Sequence, residues 1–327
     1  MHRVSPKRTI VWRSACKAGR RPVRKSCSEP KAGNSKVRRD LLVQCSDENS
    51  LQLLSLTSDS QKLRTKSGLP VRSFGLGGNR NVWQSKEIVS KAWKAGINYF
   101  FCYSLNEHEI GDYLEGLRNL CSKNRDDVYL TAGTMDFSPS GIQMHFSRCL
   151  DRFETSYLDC FFLEYVEPGE VDSALEGLAY LEKLKQQGLA RNVGCTVHDR
   201  TVGMELVQSG RIDLLMARYN MAHTKAEEAL FPAAVRHDVP IVAFTSTRWN
   251  TLQNGHEDWS EDLPEVGTCM SFALAPKAVQ VVLNSTRTEA ELTQLVLKAG
   301  KMEECEIAKW RKYGCLVYNA KSTFEMM

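Results

Sequence analysis

From Ser67 onward the chain alternates short apolar, β-rich runs with helix-length amphipathic segments. The alternation repeats eight times in about 235 residues, the size expected of a (β/α)8 barrel. Strands are expected over 71–76, 97–101, 128–131, 158–163, 191–196, 214–217, 239–244 and 279–283. Helices are expected over 84–95, 107–120, 141–153, 172–187, 200–208, 225–236, 268–275 and 289–299. Gly96, Gly188 and Gly210 stand where helices stop. The strand runs are continuously apolar, as in strands covered on both faces. The fold class expected is α/β, a TIM barrel over 67–300. A doubly wound open sheet is the alternative. The count of eight and the missing GxGxxG turn weigh against it. Residues 301–327 are expected to form a short C-terminal helical extension packed across the barrel.

The chain before the repeat is of another kind. Residues 1–45 hold thirteen Lys and Arg against two acids, Glu29 and Asp40. That leader carries +11 of a whole-chain +4, which leaves the rest at −7. With so little apolar periodicity the leader cannot bury enough surface to repay ordering, so it is expected to be disordered. Two readings remain for it: an organelle transit peptide for chloroplast or mitochondrion, or a solvated basic arm that is nuclear-directing, anion-binding or simply tolerated, with the cytoplasm as the alternative location. Residues 46–66 are polar and serine-rich and read as a linker. The folded part is mildly acidic, so nucleic acid is not an expected partner.

Eleven cysteines, none in CxxC spacing, read as reduced thiols, several of them small core residues. The spacing of Cys and His offers no metal site. No apolar run of about eighteen residues exists, so no membrane helix is expected. The first 45 residues lack the apolar core of a secretory signal.

Several stretches carry a resemblance. They are Ser67-Gly68-Leu69-Pro70-Val71, Ala95-Gly96-Ile97-Asn98-Tyr99-Phe100, Tyr157-Leu158-Asp159-Cys160-Phe161-Phe162-Leu163, Gly188-Leu189-Ala190-Arg191-Asn192-Val193-Gly194 and Tyr219-Asn220. In order and spacing they resemble the framework motifs of the aldo/keto reductase superfamily over roughly 67–318. The resemblance implies a TIM barrel that binds NADPH and reduces a small-molecule carbonyl.

The resemblance also implies four working residues. An Asp and a Tyr follow strand two, a Lys ends strand three and a His ends strand four. The Tyr donates a proton, and the Lys and Asp tune it, because a phenol of pKa about 10 is otherwise a poor acid at neutral pH. Here the Asp position is Phe101, the Lys position Gly133 and the His position Glu164. Tyr103 stands in the shortened loop after strand two, at altered spacing. For the cofactor, the resemblance points to Thr196, Thr245, Ser285, Thr286 and Arg287. The last three open a helix N-terminus, a natural phosphate site, where Arg287 could take a 2′-phosphate. The amide-holding Asn and Gln positions are Val197 and Met216, and the Gln and Asn of the last barrel helix are Glu291 and Leu295.

Glu164 and Tyr103 are the candidate catalytic residues. A carboxyl in an apolar barrel mouth can stay protonated and donate to a carbonyl. The competing reading is a carboxylate paired with an arginine. Arg218 and Arg248 follow strands six and seven, where they could hold an anionic ligand or pair with carboxylates. Three functions stay open: an NADPH-dependent oxidoreductase with altered or weakened carbonyl reduction; a catalytically silent barrel that binds a nucleotide, an anionic metabolite or a protein partner; and a lyase or isomerase using Glu164.

Overall fold

In the computed structural model of the chain, the residues described are 59–78, 83–103, 107–298 and 300–318. The basic leader and most of the linker lie outside them. Ten strands and nine α-helices follow in order: β1 (Asp59–Arg64), β2 (Pro70–Arg72), β3 (Phe74–Gly78), α1 (Lys86–Lys94), β4 (Tyr99–Cys102), α2 (Glu107–Asn124), β5 (Tyr129–Thr134), α3 (Pro139–Phe153), β6 (Leu158–Leu163), α4 (Val171–Gln186), β7 (Ala190–Val197), α5 (Arg200–Gln208), β8 (Leu214–Arg218), α6 (Leu230–Arg236), β9 (Ile241–Phe244), α7 (Val266–Leu274), β10 (Val279–Asn284), α8 (Glu289–Lys298) and α9 (Glu304–Val317). Strands β3 to β10 pair in parallel and close into a barrel, with β10 against β3.

The pleat sorts the side chains into two cores. Tyr99, Phe101, Tyr129, Phe162 and Met216 fill the barrel interior. Phe100, Cys102, Leu163, Cys195 and Ala217 face the helices. Tyr99 and Tyr129 stack at 5.3 Å across β4 and β5. A Cβ on Gly75 would stand 2.9 Å from the Tyr99 ring and 2.7 Å from Leu283, so this layer needs glycine there. Cys102, Cys121, Cys149, Cys160, Cys195 and Cys269 are buried free thiols.

Two expectations are corrected. The strand expected over 71–76 breaks at Ser73 into β2 and β3, and β2 pairs with β1 as an antiparallel hairpin. Strand β1 occupies the end of the stretch read as a polar linker. Its residues are mostly exposed, but Ser60 and Leu63 are buried. Leu63 and Val71 plug the barrel floor among the interior residues. The Gln280 amide oxygen accepts from the Ser60 hydroxyl at 3.2 Å and from Gln61 N–H at 2.9 Å. The helix expected over 225–236 is divided into a 3-10 turn, Lys225–Glu227, and α6. Pro232 explains the division. It has no N–H and its ring crowds the carbonyl four residues back, so it is tolerated only in a first turn.

At the start of β6 the fully buried Asp159 carboxylate accepts from Arg125 at 2.8 Å, from Arg191 at 2.6 Å and from Leu130 N–H at 3.0 Å. This network ties β5, β6 and β7 together at the end of the barrel opposite the strand termini. Helix α9 docks through Arg311, which reaches Glu227 at 2.5 Å, while Tyr219 donates to the same carboxylate. Among the described residues, no helix is long and apolar enough to cross a membrane.

Candidate active site

Functional groups of such barrels gather at the C-terminal ends of the strands. Alternation turns Tyr99 and Phe101 of β4 inward, and Tyr129 on β5 and Phe162 on β6 likewise. Counting on by two brings Tyr103, Gly133 and Glu164 to the mouth.

Glu164 directly follows β6, and its N–H donates to the Thr134 carbonyl at 2.8 Å. Its side chain is 1% exposed, and Oε1 has no hydrogen-bond partner among the described residues. Burial alone pushes the carboxyl up to about 8, so it carries its proton at neutral pH. The expected ion pair with an arginine is not among the contacts of Glu164. Its neighbour is Gly133 on β5. A Cβ there would stand 2.7 Å from Cγ and Oε1 of Glu164 and 2.6 Å from the Phe162 carbonyl oxygen. The carboxyl therefore occupies the space into which any side chain at 133 would project. Gly133→Ala is expected to cost about 1–3 kcal/mol by overpacking. The midpoint of urea unfolding measures it.

Beyond Glu164 the chain turns through Tyr165, a non-glycine residue at φ +59°. Thr196 holds this turn. Its buried hydroxyl accepts from Tyr165 N–H at 2.7 Å, and its carbonyl accepts from Val166 N–H at 3.0 Å. The sequence reading placed Thr196 among the cofactor contacts; the structure places it under the Glu164–Tyr165 turn.

A series of rings crosses the mouth from β4 to β9. Phe101 meets Tyr103 at 6.5 Å, and Tyr103 meets Tyr165 edge-on at 5.6 Å. Tyr165 stacks on His198 at 5.1 Å, and His198 meets Phe244 edge-on at 5.1 Å. The Tyr103 hydroxyl donates to Met135 Sδ at 3.6 Å. Burial, and secondarily the charge of Arg218, pushes His198 down to about 4, so it is neutral at pH 7. Sequence reasoning gave no role to His198, Tyr165 or Phe244. The signal was the inward parity of β7 continued one residue past its end to His198, and of β9 carried to its last residue, Phe244.

The loop after β10 is already engaged. Thr286 is buried; its hydroxyl donates to Asn284 Oδ1 at 3.0 Å, and its carbonyl accepts from Gln84 Nε2 at 2.9 Å. Ser285 is half-buried, with its Oγ 3.7 Å from where a Cβ on Gly77 would stand. Arg287 N–H donates to Glu291 Oε2 at 2.8 Å, and its guanidinium meets Oε1 of the same carboxylate at 3.1 Å. After β9, Thr245 lies at φ +60°, and its carbonyl accepts from Asn220 Nδ2 and Arg248 N–H, both at 2.9 Å. Arg248 is turned away from the anion role considered for it. Its guanidinium donates to the carbonyls of Val317 and Tyr318, so it clamps the end of α9.

The model of the aldo/keto reductase family matches residues 73–258, more than half of the chain. The chain belongs to the aldo/keto reductase family. It is 22% identical to the L-galactose dehydrogenase of Arabidopsis thaliana over 241 residues, covering 67% of this chain and 74% of that one. It is 28% identical to an uncharacterized oxidoreductase of Bacillus subtilis over 187 residues, covering 54% of this chain and 58% of the relative's length. Among solved structures, an aldo-keto reductase of Bacillus halodurans in its apo form superposes with a TM-score of 0.65 at 19% identity, covering 82% of this chain and all of the other. An aldo/keto reductase of Klebsiella pneumoniae in complex with NADP and acetate gives 0.61 at 17% identity, covering 78% of this chain and 96% of the other. At these identities the structures share the fold. Family membership supports a nicotinamide-dependent oxidoreductase at the level of the family. Gly133 and Glu164 stand side by side at the mouth. Gly133 makes room, and Glu164 fills it.

Proposed function

We propose that this chain is an NAD(P)H-dependent oxidoreductase of the aldo/keto reductase family whose proton donor is Glu164, and that tyrosine-driven carbonyl reduction is weak or absent. The observation that carries this reading is the buried, protonated Glu164 in the space left by Gly133, with Oε1 unpartnered. Tyr103 has no lysine beside it at position 133, so no cation from that position lowers its phenol toward neutral pH.

The donor set fits a dinucleotide at one end. The 285–287 turn already accepts a carboxylate, and Ser285, Thr286, Arg287 and Thr245 are the residues that would hold the dinucleotide's adenosine end. At the other end Val197 and Met216 are buried apolar side chains with no group to hold a carboxamide. When bound, the dinucleotide supplies hydride to the substrate carbonyl carbon. Glu164 gives its proton to the oxygen as that bond becomes an alcohol, and water returns the proton to the carboxylate. The neutral His198 can donate or accept a hydrogen bond to a substrate without adding charge to the mouth. The ring-lined entrance suits an apolar or aromatic carbonyl.

A general acid contributes typically 10²–10⁴-fold. Glu164→Gln is therefore expected to lower substrate-dependent NAD(P)H oxidation by about 10²-fold or more, with dinucleotide affinity unchanged. Turnover by the variant at the wild-type rate would remove Glu164 from the mechanism. One observation favours a second reading, a catalytically silent ligand-binding barrel: the carboxylate of Glu291 already sits on the helix N-terminus. Failure of any dinucleotide to bind at millimolar concentration would decide for it.

A further inference from the structure

The cradle at the start of α8 contains its own anion. The carboxylate of Glu291 takes the Arg287 N–H at 2.8 Å and the Arg287 guanidinium at 3.1 Å. Arg287 is half exposed, so nothing else about the fold requires the pair. A second feature touches the same loop at Thr286. Gln84 is 3% exposed, and its Nε2 fastens it to the Thr286 carbonyl at 2.9 Å. Its Oε1 has no hydrogen-bond partner among the described residues. A buried amide oxygen without a donor is a costly arrangement, and a ligand hydroxyl or amine would relieve it.

Both features have the same chemical sense. Glu291 Oε1 and Oε2 and Gln84 Oε1 are hydrogen-bond acceptors. They match a ligand group that donates. A phosphate dianion offers acceptors only, and next to the Glu291 carboxylate it would meet like charge. The same logic governs nucleotide sites elsewhere: an acidic side chain takes a ribose 2′-hydroxyl, and a free arginine takes a 2′-phosphate. Here the arginine is neutralised by an acid four residues on.

We propose that Glu291 sets the cofactor specificity of this barrel. It selects a dinucleotide whose adenosine ribose carries a free 2′-hydroxyl, NADH, and disfavours NADPH, the form expected from sequence. This rests on the proposed function, in which the 285–287 turn holds the adenosine end of a dinucleotide. In the bound state a ribose hydroxyl donates to Glu291, and Arg287 keeps its pair with the same carboxylate.

The test is calorimetric titration of the full chain, wild type and Glu291→Gln, with NADH and NADPH. Melting followed by circular dichroism checks that the substitution at the half-buried Glu291 leaves the fold intact. The wild type is expected to bind NADH at least about tenfold more tightly than NADPH. The variant, which keeps an acceptor for Arg287 N–H but loses the charge, is expected to gain about tenfold or more for NADPH. Its affinity for NADH should fall several-fold, because the ribose hydroxyl then donates to a neutral amide oxygen instead of a carboxylate. A wild-type preference for NADPH, or an NADH/NADPH ratio equal in both proteins, overturns the role of Glu291 and leaves the oxidoreductase reading standing. Binding of neither dinucleotide to either protein overturns both.

Discussion

Raising the pH from about 4 to above 9 is expected to cost the wild-type barrel about 5 kcal/mol that Glu164→Gln does not lose. The sign follows from proton counts. The unfolded chain releases the Glu164 proton near the ordinary carboxyl value, 4.5, whereas burial holds it in the folded chain up to about 8. Between those values the folded state binds more protons than the unfolded state, so stability falls as pH rises. Below 4.5 both states are protonated and the term vanishes. Above 8 it reaches its full size, because unfolding then frees a carboxylate trapped without solvent. Urea unfolding of the two proteins at a series of pH values measures the difference. Parallel stability curves from pH 4 to pH 9 would mean that Glu164 is ionised in a solvated or paired setting. The magnitude is of the order of a whole domain's stability, so the wild type should be fragile in alkali and the variant should not.

Removing Asp159 is the second large effect. Asp159→Ala is expected to destabilise the barrel by about 3–5 kcal/mol, because it strips the shared partner from Arg125 and Arg191. Arg125 has a 13% exposed side chain and cannot recover full hydration by turning outward. Leu130 N–H loses its acceptor as well. The network lies at the start of β6, whereas Glu164 follows its end, so the change is expected in the urea midpoint and not in dinucleotide affinity. A midpoint shift equal to that of an exposed ion pair, under about 1 kcal/mol, would show that the network is hydrated.

Much of the fold was legible because each strand–helix unit repeats one pattern of burial. The bounds expected for β6 and α5 coincide with those observed. What escaped was local and physical. Strand β1 buries only Ser60 and Leu63, so its sequence, DSQKLR, reads as polar linker. A single proline inside 225–236 outweighed the helical spacing around it.

The site was legible to the level of positions. Counting from the apolar run over 158–163 places Glu164 at a strand end, and the family pattern marks Gly133 as a departure. Neither reveals that the two are one feature. That contact crosses from β5 to β6 and depends on register, with Gly133 opposite Phe162. Arg287 and Glu291 show the opposite case. Their spacing of four on a helix start is a visible ion-pair signal, but the resemblance directed Arg287 toward a phosphate. His198 was obscured because seven scattered histidines without metal spacing carry no pattern of their own.

The proposed chemistry depends on Glu164 holding a proton at neutral pH inside the barrel mouth. Infrared difference spectroscopy of wild type against Glu164→Gln, titrated from about pH 6 to pH 10, reads that proton directly through the carboxyl C=O stretch. The account gives a protonated-carboxyl band at pH 7 that fades with a midpoint near 8 and is missing from the variant. A carboxylate spectrum for Glu164 throughout this range would contradict it, and with it the assignment of Glu164 as the proton donor.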